Sequence, residues 1–213
     1  GIHVVMGNCE QSLAWDSPDC GCGFSRESAC DRLSRQWFDH ARKAVGTDDK
    51  AWMSRLPRTL GFSMNGRSFA VIHGGVEDLG RFIFGSTPAA QKNRELDTLD
   101  VDGVIAGHCG LPFYDVIGHR LWLNAGVIGM PANDGSPRTW YSLLSPVSDG
   151  IAIRFCPLNY DHRAAQVRIR DQGLPQAYAR TLEDGLWPNM DVLPDRECGL
   201  QGLAITAENF VWR

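Results

Sequence analysis

No stretch of this sequence approaches the roughly 20 consecutive apolar residues that a membrane-spanning helix needs. Residues 1–7 also lack the basic and long apolar regions of a signal peptide. We therefore expect a cytoplasmic protein with no membrane partner. Positive charge is scarce too, because 21 Lys and Arg stand against 25 Asp and Glu, a formal net charge of −4. Without a basic footprint, nucleic acid is not the expected partner, but a small phosphorylated substrate is compatible where a metal ion supplies local positive charge.

The sequence also lacks internal repeats, low-complexity tracts and linkers that would divide it. Its 213 residues, 43% of them hydrophobic, can build one sizeable core. We expect a single domain over residues 1–213, with a C-terminal extension from about residue 157. Nothing in the sequence indicates an oligomeric state.

Seven cysteines are an odd number in a chain too large to need disulfide bonds for stability, so we expect reduced thiols. Cys20, Cys22 and Cys30 form a C-x-C-x7-C pattern close in sequence to Cys9. One interpretation is a thiolate metal site, although a closed zinc centre takes about four ligands. The other is a set of free thiols that pack a loop against the body of the protein.

Apolar runs that end in glycine-containing polar turns recur along the chain, as in strands that deliver loops to one end of a buried sheet. They are Val4–Met6 before Gly7-Asn8, Phe69–Ile72 before His73, Val101–Ala106 before Gly107-His108, and Leu121–Leu123 before Asn124. Periodicity and capping signals predict helices over about 27–45, from Thr47 with a stop at Pro57, over 161–172 and over 176–182. Residues 140–144 and 151–155 predict a hairpin.

Three residues at these turns are candidate ligands. Asn8 has a carbonyl oxygen that can bind a hard cation, or it can serve a turn. His73 and His108 each follow an apolar run and adjoin glycine, which suits a metal ligand with room for substrate. Each can also be a structural histidine.

The ordered combination of motifs over residues 1 to about 155 resembles the calcineurin-like metallophosphoesterases, and most closely the small bacterial phosphodiesterases with a G-N-C-[DE] motif. The matching segments are Gly7-Asn8-Cys9-Glu10, Val71-Ile72-His73-Gly74, Gly107-His108-Cys109-Gly110-Leu111-Pro112-Phe113 and Asn124-Ala125-Gly126-Val127-Ile128-Gly129. The resemblance implies a four-layer α/β/β/α sandwich and a metal-dependent phosphodiesterase that hydrolyses its substrate by in-line attack of metal-bound hydroxide. It assigns Asn8, His73 and His108 to a dinuclear centre of divalent ions, among which the sequence does not distinguish Mn, Fe, Zn and Ni.

By the same resemblance, Cys9 lies near the leaving group as the proton donor, and Glu10 and Asn124 support the metal ligands or the substrate. The family's D-x-H and G-D motifs are absent, so we expect an N-terminally shortened chain without the first β-α-β segment. Cys9 stands in place of the family's proton-donating histidine, and Gly110 replaces the second histidine of G-H-T-H. These departures leave a second hypothesis, a catalytically weak phosphate-binding or regulatory relative. Arg138 is either a phosphate contact or an exposed hairpin residue.

Overall fold

The computed structural model describes residues 1–206 and 209–213, which form seven helices and eight strands. The helices are α1 (Asn8–Ala14), α2 (Ala29–Ala44), α3 (Thr47–Met53), α4 (Ala89–Leu99), α5 (His162–Asp171), α6 (Gln176–Asp184) and α7 (Asp195–Cys198). The strands are β1 (Leu60–Met64), β2 (Arg67–Val71), β3 (Gly103–Ala106), β4 (Phe113–Ile117), β5 (Arg120–Asn124), β6 (Thr139–Val147), β7 (Gly150–Leu158) and β8 (Asn209–Trp212).

The larger sheet has the strand order β1-β2-β3-β5-β4. Strands β2, β3 and β5 run parallel to one another, whereas β1 and β4 pair antiparallel at the two edges. Asn65 and Gly66 join β1 to β2 with φ angles of 49° and 76°, the left-handed backbone of a tight hairpin turn. Parallel strands end at the same edge of a sheet, so the loops after β2, β3 and β5 lie side by side.

The smaller sheet, β6-β7-β8, is antiparallel and packs against one face of the larger sheet. The core between them joins Phe69 and Leu121 of the larger sheet to Trp140, Ile153 and Trp212 of the smaller one. On the other face of the larger sheet, a second core includes Leu96 of α4, whose exposed fraction is 0%. The result is an α/β arrangement of two packed sheets with helices outside.

Most elements lie where the sequence predicts them. Helix α2 occupies 29–44 of the predicted 27–45, with the Ser28 side chain accepting a hydrogen bond from the Asp31 amide. Asp161 caps α5 as expected, because its carboxylate accepts from the Ala164 amide at 3.0 Å. The predicted hairpin is β6–β7, extended at both ends.

Two local predictions were wrong. Residues 1–7 form no strand, since the Met6 amide donates to the Pro57 carbonyl at 2.8 Å instead of to a sheet partner. Gly46, and not Thr47, precedes the first turn of α3, where its amide donates to the Asp49 carboxylate at 3.2 Å. In both places an apolar or capping signal is present, but the backbone finds a different hydrogen-bond partner.

Candidate metal centre

The parallel part of the larger sheet brings two histidines to one edge. His73 follows β2 and His108 follows β3, each two residues beyond the strand. The Gly107 amide donates to the His73 carbonyl at 2.8 Å, which holds the two loops against each other. His108 itself has a φ of 59°, so its loop turns sharply where the imidazole leaves the backbone.

Asn8 reaches the same point from the first turn of α1, not from the loop that the sequence predicted. The helix begins there because the Gly7 amide donates to the Glu10 carboxylate at 3.1 Å. Gly7 has no room for a side chain, since a Cβ would lie 3.0 Å from the His73 ring and 2.4 Å from Glu10 Oε2. The bare backbone at Gly7 therefore lets α1 approach His73 closely.

The structure places the three candidate ligands close together. His73 Nε2 lies 2.8 Å from Asn8 Oδ1 and 3.0 Å from His108 Nδ1. Two ligands at right angles, each about 2.1 Å from a metal ion, lie about 3.0 Å apart. Both distances from His73 Nε2 therefore fit neighbouring ligands of one divalent ion.

The amide of Asn8 has a fixed orientation. Its Nδ2 donates to the Cys20 carbonyl at 2.7 Å and to the Cys22 sulfur at 3.1 Å. A carbonyl only accepts hydrogen bonds, so the nitrogen must face Cys20 and the oxygen must face His73. The side chain is 5% exposed, and the loop that contains Cys20 and Cys22 thus presents Asn8 Oδ1 to the histidines.

Both imidazoles are held in the neutral form that binds metals. Burial, and then the neighbouring His73, lower the pKa of His108 to about 4. Burial also lowers the pKa of His73, against an opposing effect of the Glu10 carboxylate. The Nε2 atom of His108 is buried with no hydrogen-bond partner in the described part of the chain, which is a costly arrangement for a polar atom.

The described residues bring together candidate ligands for one metal position and not for a pair. Within residues 1–206 and 209–213, no three His, Cys, Asp or Glu side chains gather as ligands of an ion. The cluster above contains two histidines and an amide, and Glu10 is engaged at the start of α1. A dinuclear centre is therefore not assembled by this part of the chain.

The predicted cysteine cluster has different members. Cys9, not Cys30, lies with Cys20 and Cys22, and the Cys20 and Cys22 sulfurs are 2.7 Å apart. Cys30 instead donates to Asn189 Oδ1 at 2.8 Å, because α2 turns its first residues toward the C-terminal segment. Hydrogen bonds from Cys22 and then Cys9 lower the pKa of the Cys20 thiol to about 3. Hydrogen bonding to Cys20 raises the pKa of Cys9 to about 12, and it also raises that of Cys22.

Asn124 holds the loop of His108 in place. Its Nδ2 donates to the Gly107 carbonyl and to the Cys109 sulfur at 2.5 and 3.1 Å, and its side chain is 1% exposed. Asn124 contacts the backbone next to His108, so it would influence a bound metal only by positioning the loop of His108. Its predicted role in supporting the ligands stays a prediction.

Trp187 of the C-terminal segment packs against Gly110, the residue that replaces the second histidine of G-H-T-H. A Cβ at Gly110 would lie 2.9 Å from the Trp187 ring. Trp187 is fixed there because its indole donates to the Pro131 carbonyl at 2.7 Å and its amide to Asn133 at 2.8 Å. A ligand-bearing side chain at residue 110 therefore has no space.

Arg138 has a structural role. Its guanidinium donates to Asp134 at 3.0 Å and to the Ile205 carbonyl at 2.6 Å, and it lies over the Trp140 ring. These bonds tie the guanidinium of Arg138 to Asp134 and to the Ile205 carbonyl, and they give no support to its interpretation as a phosphate contact.

Comparisons with known proteins identify the fold. No protein-family model matches the chain, and no curated protein sequence is significantly similar to it. Among solved structures, a hypothetical protein, PH1004 from Pyrococcus horikoshii OT3, aligns with a TM-score of 0.69 at 15% identity, over 88% of this chain and 74% of that one. A metallophosphoesterase from Sphaerobacter thermophilus aligns with a TM-score of 0.61 at 19% identity, over 85% of this chain and 76% of that one.

The chain therefore has the metallophosphoesterase fold, which confirms the predicted fold class. No helix in the described residues is both long and apolar enough to cross a bilayer.

Proposed function

We propose that this protein is a metal-dependent phosphoesterase, and that phosphodiesters are its preferred substrates. The observation that carries the proposal is that Asn8 Oδ1 and His108 Nδ1 both lie within 3.0 Å of His73 Nε2. The likeness of its fold to the Sphaerobacter thermophilus metallophosphoesterase supports it. Mn²⁺, Fe²⁺, Zn²⁺ and Ni²⁺ all accept this combination of imidazole and amide ligands.

Asn8, His73 and His108 would hold the ion. A bound divalent ion supplies charge neutralisation at the phosphate and lowers the pKa of a coordinated water. Neutral imidazoles are available for binding over most of the pH range, because the pKa of His108 is about 4. Cys9 keeps its proton at neutral pH, since hydrogen bonding to Cys20 raises its pKa to about 12. In the proposed role beside the leaving group it would be a weak proton donor.

The alternative is a phosphate-binding or regulatory relative with weak catalysis. Trp187 over Gly110 favours this alternative, because it closes the position from which a second histidine would bind. Both functions require the same metal ligands, so binding and hydrolysis must be measured separately.

The experiment compares Mn²⁺ binding, by calorimetry, with hydrolysis of a bis-aryl phosphate for the wild type and His108→Asn. Asparagine tolerates the left-handed backbone at residue 108, where φ is 59°, so the variant removes the imidazole with little change of fold. Metal affinity and turnover should both fall at least about 100-fold, the upper range for loss of a group that supports a metal ligand. His119→Asn, in the exposed turn between β4 and β5, is the matched control.

The outcomes separate the two hypotheses. Mn²⁺-dependent hydrolysis that is lost in His108→Asn supports the enzyme. Mn²⁺ binding with phosphate affinity but without hydrolysis of mono- or diesters supports the binding relative. If the wild type binds none of the four ions, both hypotheses are refuted.

A further inference from the structure

Cys20 and Cys22 lie at nearly bonding distance. Their sulfurs are 2.7 Å apart, whereas a disulfide bond is about 2.05 Å long. Gly21 between them has a φ of 68°, a left-handed conformation that glycine adopts without strain and that lets both side chains face the same way. The loop is held in this shape from outside, because Gly21 packs against Gly80 so closely that a Cβ at Gly80 would lie 2.2 Å from the Gly21 carbonyl oxygen.

The same loop determines how Asn8 faces the histidines. Asn8 Nδ2 donates to both the Cys22 sulfur and the Cys20 carbonyl. Any movement of the Cys22 sulfur toward Cys20 changes one of these two bonds. The opposite end of the same amide is Oδ1, 2.8 Å from His73 Nε2.

We propose that Cys20 and Cys22 are a reversible redox couple, and that closing their disulfide weakens metal binding by disturbing one of the two hydrogen bonds that hold the Asn8 amide, the bond to the Cys22 sulfur. The coupling to the metal rests on the proposed function, whereas formation of the disulfide does not. Cys9 is the third thiol of the cluster, and Cys30 lies outside it.

The chemistry needs an oxidant, and a low-molecular-weight disulfide of the glutathione class supplies it. One protein sulfur forms a mixed disulfide and one small thiol leaves. The second protein sulfur then attacks the first, forms the Cys20–Cys22 bond and releases the second small thiol. Two electrons and the two thiol protons pass to the small disulfide, which is reduced to two thiols. Cys22 is only partly buried, so the oxidant can reach the pair, whereas Cys20 is 5% exposed.

The disulfide is tested on the full chain with oxidised glutathione, followed by alkylation and mass spectrometry. Cleavage after Glu10 and after Arg26 separates a peptide with only Cys20 and Cys22 from Cys9 and from Cys30. This peptide should become lighter by two hydrogen atoms, lose both alkylation sites and recover them with dithiothreitol. A bond from Cys9 to either residue, a persistent glutathione adduct or full alkylation would overturn the proposal. So would a stoichiometric metal that protects these thiols until a chelator removes it.

The coupling between the disulfide and metal affinity is tested by Mn²⁺ titration. The affinity is measured for the Cys30→Ser and Cys22→Ser variants, each before and after treatment with the oxidant. The oxidised Cys30→Ser chain should bind Mn²⁺ about tenfold more weakly than its reduced form, the lower range for disturbing a group that orients a ligand. Treatment of Cys22→Ser with the oxidant should leave its affinity unchanged. Equal affinity of the two forms of Cys30→Ser would overturn the coupling although the disulfide forms. If the reduced chain binds none of Mn²⁺, Fe²⁺, Zn²⁺ and Ni²⁺, the proposed function and the coupling are both overturned.

Discussion

Acid should destabilise the metal-free protein through His108. Burial beside His73 lowers its pKa from 6.5 to about 4 in the folded chain. Between these two values the unfolded chain binds a proton that the folded chain does not, so the free energy of unfolding falls as the pH falls from 6.5 toward 4. From pH 7.5 to pH 5 the loss attributable to this side chain is about 2 kcal/mol. The lowered pKa of His73 acts in the same direction.

The measurement is urea unfolding at pH 7.5 and pH 5 in the presence of a chelator. His108→Asn removes the titrating group, so the stability difference between the variant and the wild type should shift by about 2 kcal/mol between the two pH values. The contribution of His73 should persist in the variant, because burial, and not His108, lowers the pKa of His73. His119→Asn should follow the wild type at both pH values.

A constant stability difference between wild type and His108→Asn at the two pH values would refute this reasoning. It would show that His108 is not held neutral by the fold. The argument that the site is prepared for metal binding would then lose its electrostatic support.

Two substitutions test how closely the site is packed. Gly7→Ala should weaken Mn²⁺ binding about tenfold, since its Cβ would lie 3.0 Å from the His73 ring. The control for calorimetry is Gly46→Ala at the start of α3, where the new Cβ would have no atom nearer than 3.7 Å. An equal loss of affinity in both variants would contradict the proposed contact with His73. Gly110→Ala should lower the free energy of unfolding by about 1–3 kcal/mol, measured by urea unfolding. The new Cβ would lie 2.9 Å from the Trp187 ring, and the backbone at residue 110 is left-handed. An unchanged free energy of unfolding would show that Trp187 moves away without cost.

The proximity of the two histidines could be predicted from the sequence because the signals for it are local. His73 and His108 each follow an apolar strand and adjoin glycine, and parallel pairing of β2 with β3 brings them together without further information. The cap of α5 at Asp161 is equally local. Asn65-Gly66 is a local hairpin signal as well, and it lies at the β1–β2 turn, for which no strand or hairpin was predicted.

Contacts between distant segments could not be predicted in this way. Sequence spacing grouped Cys30 with Cys20 and Cys22. In the structure Cys30 contacts Asn189 instead, and Cys9 of α1 lies beside Cys20 and Cys22. Trp187 lies 77 positions from Gly110 in the numbering, and no periodicity links the two residues. Their contact depends on how the C-terminal segment packs on the sheet, which composition does not determine.

Asn8 joins the two parts of the site through opposite ends of one amide. Its oxygen faces a hard-cation position beside His73, and its nitrogen faces a sulfur and a carbonyl of the cysteine loop. An aspartate in the same place would have no donor for the Cys20 carbonyl and would put a negative charge beside the Cys20 thiol, whose pKa is already lowered to about 3. The amide is thus the side chain that can bind a metal and respond to the cysteines at once. Asn8 is therefore the side chain that contacts both the candidate metal site and the cysteine pair, and the proposed coupling depends on it.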